Sequence, residues 1–128
     1  MKVEYLENIN YDYPDNSLIR IYDFTREESK LFSRKIMELL NSKQSIKMRG
    51  ISFVEMINCD LELIVGIEDQ GIIEVENKKY TCILKDETYK NMVEMIDSYN
   101  KSEKLSGYHW LYDLNINIDF LYSQNGDW

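Results

Sequence analysis

The sequence has few of the residues that cross-link or kink a chain. It carries two cysteines, one proline and five glycines in 128 residues, so neither a disulfide framework nor a Pro/Gly-rich low-complexity segment is predicted. Cys59 and Cys82 are also too far apart for a Cys-x-x-Cys metal or redox motif. We therefore expect both cysteines to be reduced.

Long apolar runs and positive charge are scarce as well. No run approaches the roughly 20 apolar residues needed to cross a bilayer, and residues 1–10 lack the core of a signal peptide. The 15 basic residues against 23 acidic ones give a net charge of −8, which disfavours nucleic acid as a partner. We therefore expect a cytoplasmic protein with no membrane partner. Its length fits a single domain over residues 1–128.

Two segments show the periodicity of amphipathic helices. Thr25 and Glu28 match a capping box, which predicts a first helix over about residues 26–41. Asp86 is in the right place to cap a second helix over residues 87–100. The apolar positions of this second helix are Tyr89, Met92, Val93, Ile96 and Tyr99.

Alternating apolar residues predict strands over residues 17–24, after a turn cluster at residues 13–16, and over residues 116–122. Residues 46–57 fit a strand or a short helix equally well. The whole order predicts an α+β fold, in which two helices pack on one face of a mainly antiparallel sheet.

Residues 60–85 predict the centre of that sheet, a three-stranded antiparallel meander. A loop closed by Gly71 would set Ile67 opposite Ile73. A two-residue turn at residues 77–78 would then pair Ile73 with Cys82 and Val75 with Tyr80. All these apolar side chains would share one buried face.

The opposite face of this meander is predicted to be acidic, because residues 50–77 contain seven acids and no Lys or Arg. The glutamates expected on this face are Glu62, Glu68, Glu74 and Glu76. Concentrated negative charge would attract a protein with a basic surface. The alternative interpretation is an ordinary solvated sheet face.

Aromatic residues cluster near the C-terminus, where six of the sixteen follow residue 107. Large rings with one polar end suit a protein interface or a ligand pocket, although they also close cores. The candidate binding residues in this region are His109, Trp110, Tyr112 and Asp113.

These patterns favour a small binding module that contacts another protein through an acidic and aromatic surface, without catalysis. An immunity-protein or inhibitor-like role is one form of this function, and a second copy of the chain is an alternative partner. The competing hypothesis is a small-molecule binding protein or enzyme with a C-terminal pocket around His109, completed by Tyr112, Asp113 and Asp119. Neither a metal nor a cofactor is predicted, since Cys59, Cys82 and His109 have no recognised ligand spacing.

Overall fold

A computed structural model describes residues 1–7, 9 and 16–128. In chain order these residues form β1 (Lys2–Leu6), β2 (Ser17–Tyr22), α1 (Arg26–Ser42), β3 (Ile46–Lys47), a 3₁₀ turn (Met48–Gly50), β4 (Glu55–Met56), β5 (Asp60–Val65), β6 (Gly71–Glu76), β7 (Lys79–Leu84), α2 (Asp86–Asn100), β8 (His109–Trp110) and β9 (Ile118–Tyr122). The predicted α+β class is confirmed. The turn predicted at residues 13–16 falls almost entirely outside the described residues.

The strands form two sheets, and both are mixed. The first sheet has the order β4-β1-β2-β9-β8, in which β2 is antiparallel to β1 and parallel to β9. The second sheet has the order β3-β5-β7-β6, in which β7 is parallel to β5 and antiparallel to β6. The ambiguous segment at residues 46–57 supplies β3 to the second sheet and β4 to the first.

The predicted meander is wrong in its strand order, because β7 lies between β5 and β6. The chain between β5 and β6 is therefore a crossover loop over residues 66–70 rather than a hairpin turn. Ile67, expected on the buried face opposite Ile73, is 95% exposed in this loop. The strands β5 and β7 form a parallel pair, which a tight turn cannot connect. The turn residues around Gly71 therefore gave no indication that β5 pairs with β7.

The register of the β6–β7 hairpin also differs from the prediction by one residue. The turn at residues 77–78 is confirmed, but a bulge between Glu74 and Glu76 shifts the pairing beyond it. Cys82 therefore pairs with Ile72, which is buried, instead of Ile73. Because a shift of one residue turns every side chain to the other face, Ile73 and Val75 point to solvent.

Both predicted helices are present. In α1 the Thr25 hydroxyl accepts from the Glu28 N–H, and the Glu28 carboxylate accepts from the Thr25 N–H, which confirms the capping box. The predicted apolar stripe of α2 is buried along its whole length. The predicted cap of α2 is wrong: Asp86 is its first helical residue and Lys85 occupies the N-cap position, without a side-chain cap.

The helices contact both sheets, not one face of a single sheet. The Tyr89 hydroxyl of α2 donates to the Ile64 and Cys82 carbonyls in the second sheet. Tyr99, also of α2, packs edge-on against Tyr122 in the first sheet, with ring centroids 6.0 Å apart. The buried side chains of helices and sheets form one core. No helix in the described part of the chain is long and apolar enough to cross a membrane.

Candidate functional site

An open pocket of about 500 Å³ lies beside the β8–β9 pair and is lined by Trp110, Tyr112, Asp113 and Asp119. Strand β8 runs antiparallel to β9, so the residues that follow Trp110 return toward the start of β9. This return brings Asp119 next to Asp113. Three of the four lining residues belong to the binding set predicted from the sequence, and Asp119 belongs to the alternative pocket.

The pocket carries negative charge. Burial, and then the nearby Asp113 carboxylate, raise the pKa of Asp119 above its ordinary value. None of the four lining residues is basic, and none of the ion pairs found among the described residues includes either aspartate. Two carboxylates therefore share a recess without a cationic partner in this part of the structure.

Tyr112 anchors the pocket to both sheets. Its hydroxyl accepts from the Ile72 N–H of β6 at 3.2 Å and donates to the Ile118 carbonyl of β9. Only 5% of the residue is exposed, and this burial raises the pKa of the Tyr112 hydroxyl, so it stays a protonated donor near neutral pH. These two hydrogen bonds fix the Tyr112 side of the pocket to strands β6 and β9.

Trp110 of the pocket lining is exposed and packs against a second exposed aromatic residue, Tyr108. Trp110 is 36% and Tyr108 45% exposed, and their rings meet edge to face with centroids 5.7 Å apart. Exposed aromatic residues beside a carboxylate are typical of surfaces that bind cationic groups or protein partners.

His109 lies on the other side of β8 from the pocket. Successive residues of a strand point to opposite faces, and the His109 ring packs edge-on against Tyr99 with centroids 5.1 Å apart. A pocket lies in the C-terminal region, but it does not surround His109 as predicted, because Trp110 lines it instead. None of the hydrogen bonds found in the described part of the chain joins His109 to a carboxylate.

The predicted common acidic face is not formed. Glu62 and Glu76 lie on the outer face of the second sheet, whereas Glu68 lies in the crossover loop. Glu74 is the pairing partner of Tyr80, whose side chain is buried. Glu74 therefore points to the inner side of the sheet, on the edge strand β6. The error follows from the register shift and from the strand order described above.

Neither cysteine is placed as a nucleophile. Burial raises the pKa of Cys59 to about 11 and that of Cys82 to about 12, so both remain thiols at neutral pH. Among residues 1–7, 9 and 16–128, no group of three or more His, Cys, Asp or Glu side chains is arranged to bind a metal ion.

The fold is that of an α+β domain with two mixed sheets and two helices. No protein-family model and no curated protein matches the chain. Its fold is similar to that of a solved structure, Drosophila Suppressor of Fused, with a TM-score of 0.54 and 13% sequence identity. The similarity covers 87% of this chain but 25% of that protein. At this level of identity it shows the fold alone.

Proposed function

We propose that this protein is a non-catalytic binding module whose pocket receives a cationic side chain of a partner protein. The pocket is formed by Trp110, Tyr112, Asp113 and Asp119. The observation that carries the proposal is the pair of carboxylates in one open recess, with no basic residue in its lining. A bound cation would remove the repulsion between Asp113 and Asp119 and would stabilise both ionised groups.

Arginine fits this pocket better than lysine. Its guanidinium group is planar, carries five N–H donors and can bond two carboxylates while stacking on an aromatic ring. Asp113 and Asp119 supply the carboxylates, and Trp110 supplies an exposed ring beside them. The expected partner therefore presents an arginine on a basic surface, as the target of an immunity-like or inhibitor-like protein would. A cytoplasmic location belongs to the same proposal and is supported by the two free cysteines.

The direct test uses short capped peptides with a central arginine, lysine or citrulline, titrated into isotopically labelled protein. We expect the arginine peptide to shift the NMR signals of the Trp110 indole and of Asp113 and Asp119. Citrulline, the neutral analogue of arginine, should cause no such shifts. The Asp113→Asn/Asp119→Asn variant should lose the response, whereas Glu68→Gln, which changes an exposed acid in the crossover loop, should retain it.

Two results would contradict the proposal. One is an equal response to citrulline and arginine, which would show that charge is not recognised. The other is an unchanged response in the double aspartate variant. With a host partner, the same variant should weaken binding, and raising the salt concentration should weaken wild-type binding, because screening reduces attraction between exposed charges.

A second candidate is a small-molecule site, which the pocket volume of about 500 Å³ favours, since ligand pockets typically measure about 300–1,000 Å³. Spermidine and agmatine are suitable probes, because both are free organic cations. Saturable thermal stabilisation by either one, lost in the double aspartate variant and accompanied by no peptide response, would favour this function over protein binding.

A further inference from the structure

The outer face of the second sheet is a separate surface from the pocket. One row of paired residues crosses all four strands and consists of Lys47, Glu62, Thr81 and Ile73. A second row consists of Asp60, Lys79 and Glu76. These side chains point away from the core, because the alternate positions in the same strands are buried, among them Leu61, Leu63, Tyr80 and Cys82.

The accessible apolar residues of this face lie on its edge strand, β6, whereas Thr81 of the central strand β7 is buried. Val75 is 57% and Ile73 36% exposed. A shallow hollow of about 350 Å³ lies beside Val75 and is bordered by charged residues of the other three strands and of the 3₁₀ turn. Exposed apolar residues within a charged border are typical of interaction surfaces.

The charges on the face alternate in sign from strand to strand. Basic residues lie on β3 and on the 3₁₀ turn that follows it, acidic residues lie on β5, a basic residue lies on β7 and an acidic residue lies on β6. In that order the residues are Lys47, Arg49, Asp60, Glu62, Lys79 and Glu76. Charged residues on neighbouring strands already interact within one copy. Arg49 pairs with Asp60, and the Lys79 Nζ lies 3.4 Å from a carboxylate oxygen of Glu76.

This order makes the face complementary to itself in one orientation. A two-fold axis parallel to the strands, lying between two stacked sheets, would bring β3 over β6 and β5 over β7. Rotation about this axis keeps each row of residues opposite the same row of the second copy. Asp60 would then approach Lys79 of that copy. Arg49, which pairs with Asp60 in the same row, would approach its Glu76. A two-fold axis perpendicular to the strands would instead stack each strand on itself and oppose like charges.

We propose that the outer face of the second sheet is a homodimer interface, with a two-fold axis parallel to its strands. The four strands span roughly 15–20 Å in each direction, which is less than the roughly 800 Å² per partner of a standard interface. The dimer is therefore weak, with a dissociation constant between about 10 μM and 1 mM. This interface does not involve the proposed cation pocket.

Sedimentation equilibrium of charge-reversal variants tests both the surface and the axis. Asp60→Lys/Glu76→Lys makes the row of Arg49, Asp60, Lys79 and Glu76 entirely basic, and Arg49→Glu/Lys79→Glu makes it entirely acidic. Each variant alone should be monomeric, because like charges would meet across the axis. An equimolar mixture of the two should form a heterodimer at least as tight as the wild-type dimer.

An apolar variant gives an independent measurement. Val75→Arg places a charge among the exposed apolar residues of β6 and should weaken dimerisation at least tenfold. Met37→Arg, at an exposed position of helix α1, should leave it unchanged. Circular dichroism would identify any variant that fails to fold. A wild-type protein that is monomeric at 1 mM would overturn the proposal, as would a dimer that persists in Val75→Arg or a mixture of charge variants that does not associate.

Discussion

The Asp69 carboxylate caps helix α2 from outside the helix: its Oδ1 accepts from the backbone N–H of Lys85 at 3.0 Å. Its Oδ2 accepts from the Thr88 hydroxyl at 2.7 Å. Asp69 belongs to the crossover loop between β5 and β6, so this contact fixes that loop to the start of the helix. Negative charge is also favourable at a helix N-terminus.

We expect Asp69→Ala to lower the free energy of unfolding by about 1–2 kcal/mol, because the N–H of the N-cap residue Lys85 and the Thr88 hydroxyl lose the carboxylate that accepts their hydrogen bonds. Glu68→Ala is the matched control, since Glu68 is the preceding, exposed acid in the same loop. Urea unfolding of the two variants measures the difference. Equal stabilities would contradict the capping role.

Tyr112→Phe tests the connection between the two sheets. Loss of the hydroxyl leaves the buried Ile72 N–H without its acceptor, and we expect the free energy of unfolding to fall by about 1–3 kcal/mol. Hydrogen exchange of the Ile72 amide should accelerate. Tyr108→Phe, which removes a hydroxyl from an exposed ring, should change neither quantity.

The helices were predictable because their signals are local. The Thr25–Glu28 capping box lies within four residues, and helical spacing of apolar residues specifies which face is buried. The sheet depends on contacts between distant segments. β5 pairs with β7 across the intervening β6, and no turn motif specifies such a parallel pairing. The bulge at Val75 likewise depends on how β6 pairs with β7, and not on residues next to it in sequence.

The candidate site was predictable in part for the same reason. Trp110, Tyr112 and Asp113 are close together in sequence, so the aromatic and acidic cluster was visible there. Their neighbour Asp119 joins them through the β8–β9 pairing. The predicted acidic face left out two basic residues, Lys47 and Lys79. Both lie outside residues 50–77 in sequence, and only strand pairing brings them to the outer face of the second sheet.

Glu28 provides a pH-dependent test of the N-terminal region. Burial disfavours its charged form, but hydrogen bonds from the Thr25 N–H and the Met1 ammonium group outweigh this effect and lower the pKa of Glu28. A lowered pKa in the folded state means that the ionised group contributes stability above its ordinary value of 4.5, and that this contribution is lost as pH falls through the lowered value.

We therefore expect Glu28→Ala to lower the free energy of unfolding by about 1 kcal/mol at pH 7. Most of this difference from the wild type should be absent at pH 2.5. Glu27→Ala is the control, because Glu27 is exposed and its ion pair with Lys30, at 3.8 Å, lies at the surface and contributes little to stability. Thermal unfolding at both pH values measures the effect, and a loss equally large at pH 2.5 would exclude an ionic origin.

Asp119 should show the opposite pH dependence, because burial and Asp113 raise its pKa. The folded state then binds the Asp119 proton more tightly than the unfolded chain does. Ionisation therefore reduces stability as pH rises from the ordinary value of 3.8 through the raised value, and the loss is constant above it. We expect Asp119→Asn to increase the free energy of unfolding at pH 7 by less than about 1 kcal/mol, because the group is partly exposed.

At pH 3 the two proteins should be nearly equal in stability, since Asp119 is mostly protonated in both states. Asp113→Asn should lower the pKa of Asp119, measured by NMR titration, although burial keeps it above the ordinary value. A gain in stability of equal size at pH 3 and pH 7 would exclude electrostatic strain as its cause. If Asp119→Asn gains stability at pH 7 and loses the response to the arginine peptide, the carboxylate contributes to binding at the expense of folding stability.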